Sequence, residues 1–174
     1  IAITVYATQD TVESDSFNNT YDENATYPVV NVTELKEALT NGGVVAVTKD
    51  IHTNNIEDTA AARIVISQPT TLNLEKKIIT PNNMGNNGTN FCALIVDADT
   101  TINAGENGGI DTGVNGGYGI NVRNGATLTI NGGYYYGGGT AVQVQKGTLI
   151  INGGTFACEP YSNCLLYTSD AADE

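Results

Sequence analysis

Asp97 and Asp99 stand two residues apart, and in an extended segment such residues point the same way. Two carboxylates at close range can divide the roles of acid and base between them, or hold a calcium ion. Arg123 lies one repeat further along, near the corresponding turn, where it would act as the base of a calcium-assisted site. Glu106 and Asp111 are the other acidic candidates. The competing reading is structural: Asp97, Ala98 and Asp99 sit where every other repeat has a turn, and Asp is an ordinary turn residue. His52 is the one histidine, beside the polar residues Thr53, Asn54 and Asn55. With no Ser or Cys motif near it, a catalytic triad is not supported, and it reads as a loop histidine.

Tyr118, Tyr134, Tyr135 and Tyr136 offer a different chemistry. In a strand Tyr134 and Tyr136 share one face and Tyr135 takes the other. Outward-facing Tyr rings suit stacking against sugar rings, and their hydroxyls add hydrogen bonds. Tyr118, Tyr134 and Tyr136 are therefore the candidate ligand-binding residues. Against this stands the reading that one ring packs inside and the others are ordinary surface Tyr, which favour strands in any case. The Gly-rich segments at 115–117 and 137–139 lack the strand-turn-helix context of a phosphate loop.

Charge and composition exclude several classes. The chain has 174 residues, with 7 basic against 19 acidic side chains and a net charge of −12. Nucleic acid is disfavoured as a partner, because phosphate neutralisation needs Lys and Arg. No apolar run approaches the ~18 residues of a membrane helix, so no membrane insertion is expected. The three Cys form no CxxC pair and no zinc spacing, and no metal or cofactor is expected. Cys92 and Cys158 are too far apart in the repeat to be bridged and read as half-buried thiols. Met84 carries no evident role. With 40% hydrophobic and 15% charged residues, most of the chain should fold.

The elements that would position these residues follow from periodicity. A helix is expected over 33–41, with Thr33 as its cap, Glu34 in the first turn, and Leu35, Ala38 and Leu39 as one apolar stripe. Asn41, Gly42 and Gly43 would stop it, and a strand of valines over 44–47 follows. Then the chain repeats. T-L-T-I-N-G-G at 127–133 recurs as T-L-I-I-N-G-G at 148–154. Weaker copies begin at Thr100 and, about 28 residues before it, at Thr71. A second short strand precedes each copy, and a third follows at 134–136 and 155–157. The longer spacings imply loop insertions over 82–90 and 106–117.

A fixed period of 20–50 residues with two or three short strands and no helix means a β-solenoid, an all-β architecture whose rungs stack about 4.8 Å apart. Ile120 and Val122, Leu128 and Ile130, Val142 and Val144, and Leu149 and Ile151 would point inward. Asn103, Asn131 and Asn152 would stack at equivalent corners, taking the left-handed bend and bonding amide to amide along the axis.

The helix, the Gly-Gly, the Val-rich strand ending in Lys49, Asp50 and Ile51, and the copies of T-L-T-I-N-G-G together resemble the right-handed parallel β-helix family, with its pectate-lyase-like fold. Surface proteins and virion appendages of microbial communities are closest in style. The resemblance covers 33–163 and implies that the helix caps the open N-terminal end of the solenoid. It implies an extracellular place, on a cell surface or a virion, a glycan or cell-surface polysaccharide as partner, and for virion members a homotrimer. The fold also carries enzymes, so it does not decide function. Under the alternative of a polysaccharide lyase or hydrolase fragment, Asp97, Asp99 and Arg123 would be the catalytic set and Ca2+ the cofactor. The asparagine–aspartate, paired-Asp and Gly-His-Gly motifs of pectin hydrolases are absent, as is the Arg-x-Pro-x-x-Arg pattern of pectate lyases. The expected function is thus a non-catalytic module of an adhesin or of a phage tail or appendage protein, with a structural spacer as a further alternative.

Both ends break the pattern. Residues 1–32 read as a leader or linker. Ile1 to Ala7 suit either the end of a signal peptide, cleaved after Ala7, or a β-strand. Sequons at Asn18, Asn24, Asn31 and Asn87 are expected by chance in so Asn- and Thr-rich a chain. Residues 164–174, CLLYTSDAADE, resemble the translation of a transposase-type sequencing adapter, which marks the chain as a truncated metagenomic fragment. A genuine C-terminal segment is the alternative. Without its three acids the charge is −9.

Overall fold

The computed structural model describes residues 28–53, 64–80, 92–114, 117–160 and 164–167. The N-terminal leader to residue 27, the insertion at 82–90 with Met84 and Asn87, and residues 168–174 of the adapter-like string lie outside them. What is described is mostly β-structure in parallel sheets with one helix, compatible with a β-helix-like fold.

Helix α1 runs Val32–Asn41, one residue longer than expected, and its cap is Asn31 rather than Thr33. The Asn31 side chain accepts from the Glu34 N–H at 3.0 Å, while Glu34 Oε2 accepts from the Val30 N–H at 3.0 Å. Asn at this position satisfies an orphan donor as well as Thr would, and leaves Thr33 inside the first turn. Leu35 and Leu39 are buried and Ala38 packs against the core, as the stripe required.

The strands form three columns. The first holds β1 (Pro28–Val29), β2 (Gly43–Val47), β5 (Thr70–Leu74), β8 (Thr100–Ala104), the first half of β11 (Ala126–Gly137) and the first half of β13 (Gly147–Cys158). The second holds β3 (Ile51–His52), β6 (Lys77–Ile79), β9 (Gly109–Asp111) and the second halves of β11 and β13. The third holds β4 (Val65–Ile66), β7 (Cys92–Val96), β10 (Tyr118–Val122), β12 (Thr140–Val144) and β14 (Leu165–Tyr167). All these pairs are parallel.

Two strands expected to be separate are therefore continuous. β11 and β13 each run through the Asn-Gly-Gly corner and belong to both columns. At the corner of β11, Gly132 and Gly133 take φ 98° and 96°, and a Cβ at Gly132 would fall 2.5 Å from the Ala104 carbonyl oxygen. Only glycine fits both constraints. The left-handed bend thus belongs to the glycines. Among the described residues the one non-glycine with positive φ is Asn124, in a turn, not a corner asparagine.

The inward rows stand in register. Val45, Leu72, Ile102 and Ile130 lie one above the next and are all but fully buried. In the second column the row is Ile51, Ile78, Ile110, Tyr135 and Phe156, with the last two rings stacked at 5.2 Å. One core cluster draws on all three columns. Of the residues expected inside, Ile120, Val122, Leu128, Ile130, Val142 and Val144 are buried. Leu149 is only partly buried and Ile151 is 40% exposed, because β13 is the last strand of its column and no described strand lies above it. The repeat from β5 to β8 is 30 residues rather than about 28.

The corner asparagines do stack. Each side-chain amide donates to the carbonyl oxygen of the one before: Asn152 to Asn131 at 2.7 Å, Asn131 to Asn103 at 2.8 Å, and Asn103 to Asn73 at 2.9 Å. Asn73 extends the ladder one rung beyond the sequence expectation.

Cys158 is disulfide-bonded to Cys164, which corrects its reading as a thiol. The adapter-like reading excludes Cys164 from the fold, yet β14 directly after it pairs with β12. Cys92 is a buried thiol.

Two outcomes follow. Ile130→Ala should lower unfolding free energy by about 2–5 kcal/mol in urea titration, whereas Thr129→Ala, one residue along on the outer face, should stay within about 0.5 kcal/mol. Burial of Tyr135, whose hydroxyl donates to the Gly132 carbonyl at 2.9 Å, pushes its pKa well up. The raised pKa stabilises the fold below the unfolded Tyr value of about 10, and that contribution is lost as pH climbs past it. Alkaline titration of stability should show this slope, and Tyr135→Phe should flatten it.

Candidate functional site

The second column presents the most chemically varied outer wall. Because Tyr135 is held inside, the residues on either side of it must face out. Tyr134 and Tyr136 do so, both partly exposed. Register then sets their neighbours. Lys77, Gly109, Tyr134 and Thr155 form one row; His52, Ile79, Asp111, Tyr136 and Ala157 form the next.

Gly109 separates Lys77 from Tyr134 and has no side chain to block the way. Lys77 Nζ reaches across it to stand 4.8 Å from the centre of the Tyr134 ring. That distance is within cation–π range. The same Nζ lies 4.0 Å from Asp111 Oδ2. Asp111 is fixed by its other oxygen, which accepts from the Gly113 N–H at 2.9 Å. Beside it Thr112 is buried, with its hydroxyl oxygen accepting from the Gly138 N–H. The pKa of Tyr136 is raised, first by desolvation and then by the nearby Glu159, Tyr134 and Asp111. At neutral pH the phenol keeps its proton, as an unshifted Tyr also would, and can donate a hydrogen bond. The wall offers aromatic faces, one cation, the carboxylates of Asp111 and Glu159, and hydroxyl donors, a set that suits binding a polyhydroxylated ligand from outside.

The other predicted residues lie elsewhere. Tyr118 is in the third column, on the same face of β10 as the buried Ile120 and Val122, and half-buried itself. It does not join Tyr134 and Tyr136. Asp97 and Arg123 do meet, at the turns that leave the third column. Arg123 Nε donates to Asp97 Oδ1 at 2.8 Å and its Nη2 donates to Oδ2 at 2.6 Å, a two-pronged pair. Asp99 diverges from them and accepts the Thr127 N–H at 2.8 Å. Asp50 likewise accepts the Lys77 N–H at 3.0 Å. Each of these acids ties a turn to the following rung, 26 to 28 residues on. Among the described residues no group of three or more His, Cys, Asp or Glu is placed to hold a metal ion.

The outer wall of the first column carries a shallow open trough over Val44, Thr71, Thr101 and Thr129, with Asp99 at its rim. It carries no aromatic ring and no cation, and Asp99 is its one charged lining residue. Lys77 and Asp111 were missed as partners of Tyr134 and Tyr136 because the repeats differ in length. Lys77 is 32 residues before Gly109, and Gly109 is 25 before Tyr134.

No family model matches the chain, and neither a curated protein nor a solved structure matches it.

Asp97→Asn should destabilise the fold by about 1–2 kcal/mol, since it weakens a charge-assisted double hydrogen bond on partly buried groups. Chemical denaturation checks this, and ligand binding at the tyrosine wall should not change.

Proposed function

We propose that the three columns close into a right-handed parallel β-helix capped by α1. We further propose that this β-helix is a non-catalytic extracellular module of a microbial surface adhesin, or of a phage tail or appendage protein, that contacts glycans. The carrying observation is the pair Tyr134 and Tyr136, set side by side on an outer wall by the burial of Tyr135 between them. Lys77 and Asp111 flank them and supply polar contacts for sugar hydroxyls. The open form of the wall fits a polymer laid along it, where small ligands usually take concave pockets. The two-pronged Asp97–Arg123 pair supports a structural role for these residues in place of acid–base work. A net charge of −12 favours neutral glycans over acidic ones.

Glycan-array binding followed by calorimetry on the best hit tests the reading. Tyr134→Ala and Tyr136→Ala should each weaken binding by about 2- to 12-fold, the equivalent of 0.5–1.5 kcal/mol per aromatic contact, with the melting temperature unchanged. Wild-type protein that binds no glycan, or variants that bind as well as wild type, would contradict it.

A further inference from the structure

The tyrosine wall already holds one ammonium group of the protein's own. Lys77 Nζ lies over the Tyr134 ring, 4.8 Å from its centre, and 4.0 Å from Asp111 Oδ2. A cation thus sits between an aromatic face and a carboxylate. Tyr136 stands beside the same carboxylate. Register sets it between Asp111 on one side and the small side chain of Ala157 on the other. One rung beyond Asp111 its row has Ile79, where the row of Tyr134 has Lys77. Among the described residues no cation lies over the Tyr136 ring. Asp111 Oδ1 is held by the Gly113 N–H at 2.9 Å, whereas Lys77 stays beyond hydrogen-bond reach of Oδ2. Oδ2 therefore keeps room for a donor. Desolvation raises the Tyr136 pKa first, and Glu159, Tyr134 and Asp111 add to it. The charges that act on that phenol are thus negative.

We propose that this wall selects glycans with free amino groups, taking unacetylated amino sugars in their ammonium form, and that Asp111 and Tyr136 are the residues that read the charge. The inference rests on the reading of the tyrosine wall as a glycan site and names the class of sugar it takes. The ligand ammonium donates to Asp111 Oδ2 while it lies against the Tyr136 ring, repeating what Lys77 does with Tyr134 and the same carboxylate. The carboxylates of Asp111 and Glu159 outnumber the ammonium of Lys77 on this wall, in a chain of net charge −12, so the field draws cations toward it. A neutral sugar gains the ring contact alone. An acetylated amine has lost its charge, and a uronate meets carboxylates of its own sign. Lys77 is a competitor in this scheme, since its ammonium occupies one Tyr134 face and part of the pull of Asp111.

Calorimetric titration of the full chain with three β-linked hexasaccharides tests this. Their sugars are glucose, glucosamine and N-acetylglucosamine, which differ in one substituent: hydroxyl, ammonium or acetamide. The glucosamine oligomer should bind about 3- to 30-fold more tightly than the other two at low salt, combining an exposed ion pair with a cation–π contact. Asp111→Asn keeps the acceptor for the Gly113 N–H and should cut the preference for glucosamine over glucose by about 2- to 5-fold. Lys77→Gln removes the competing cation and should raise that preference by a similar factor. Equal or tighter binding of the glucose or acetylated oligomer, lost on Tyr136→Ala, would overturn the inference and leave the glycan reading standing. No binding of any glycan, in this titration or on the array, overturns both. Glucosamine binding that ignores Asp111→Asn and Tyr136→Ala is general attraction to an acidic chain, and it overturns the inference as well.

Discussion

Everything in this protein depends on one constraint: successive rungs pair in parallel with their inward side chains directly above one another. In a strand the faces alternate with a period of two, so a slip of one residue would send an entire inward row to solvent. The rows Val45–Leu72–Ile102–Ile130 and Ile51–Ile78–Ile110–Tyr135 show the constraint met despite spacings of 27, 30 and 28 residues between rungs in the first column. Variable lengths are absorbed between strands, and the strands keep step.

Polar groups guard the same register from outside. The asparagine ladder joins Asn73 to Asn152 through one-way amide bonds, and a displaced rung would leave amides without partners. Turn carboxylates do the same at the corners, with Asp50 and Asp99 each accepting a backbone N–H of the next rung and Asp97 gripping Arg123. The residues that looked most like chemistry in the sequence are thus occupied in holding rungs together. The tyrosine wall is a by-product of that order. Burial of Tyr135 fixes where Tyr134 and Tyr136 point, and the glycine at 109 lets Lys77 reach over the Tyr134 ring.

Much of the fold was legible because the repeat is written in residue types. T-L-T-I-N-G-G carries an outward Thr, an inward Leu and Ile, a ladder Asn and a glycine corner in one string. The helix was legible from its apolar stripe, but its cap was not, because Asn31 and Thr33 are both competent caps and only the backbone decides between them. The continuity of β11 and β13 through the glycines was hidden, since Gly-Gly reads as a stop. The exposure of Ile151 was hidden too: its local pattern equals that of Ile130, and only its place in the stack differs. For the site, the facing of Tyr134 and Tyr136 followed from alternation, whereas Lys77 and Asp111 needed a register that unequal repeats concealed. The Cys158–Cys164 bridge was not legible, because the segment bearing Cys164 breaks the repeat pattern and carries no signal that it returns to the fold.

Nuclear Overhauser contacts between the side-chain amides of Asn73, Asn103, Asn131 and Asn152 test the in-register stack most directly. The account predicts cross-peaks from each amide to the next in the series and none that skip a member. Absence of the Asn103–Asn131 contact, or contacts from Asn131 to residues displaced from Asn103 along β8, would contradict it.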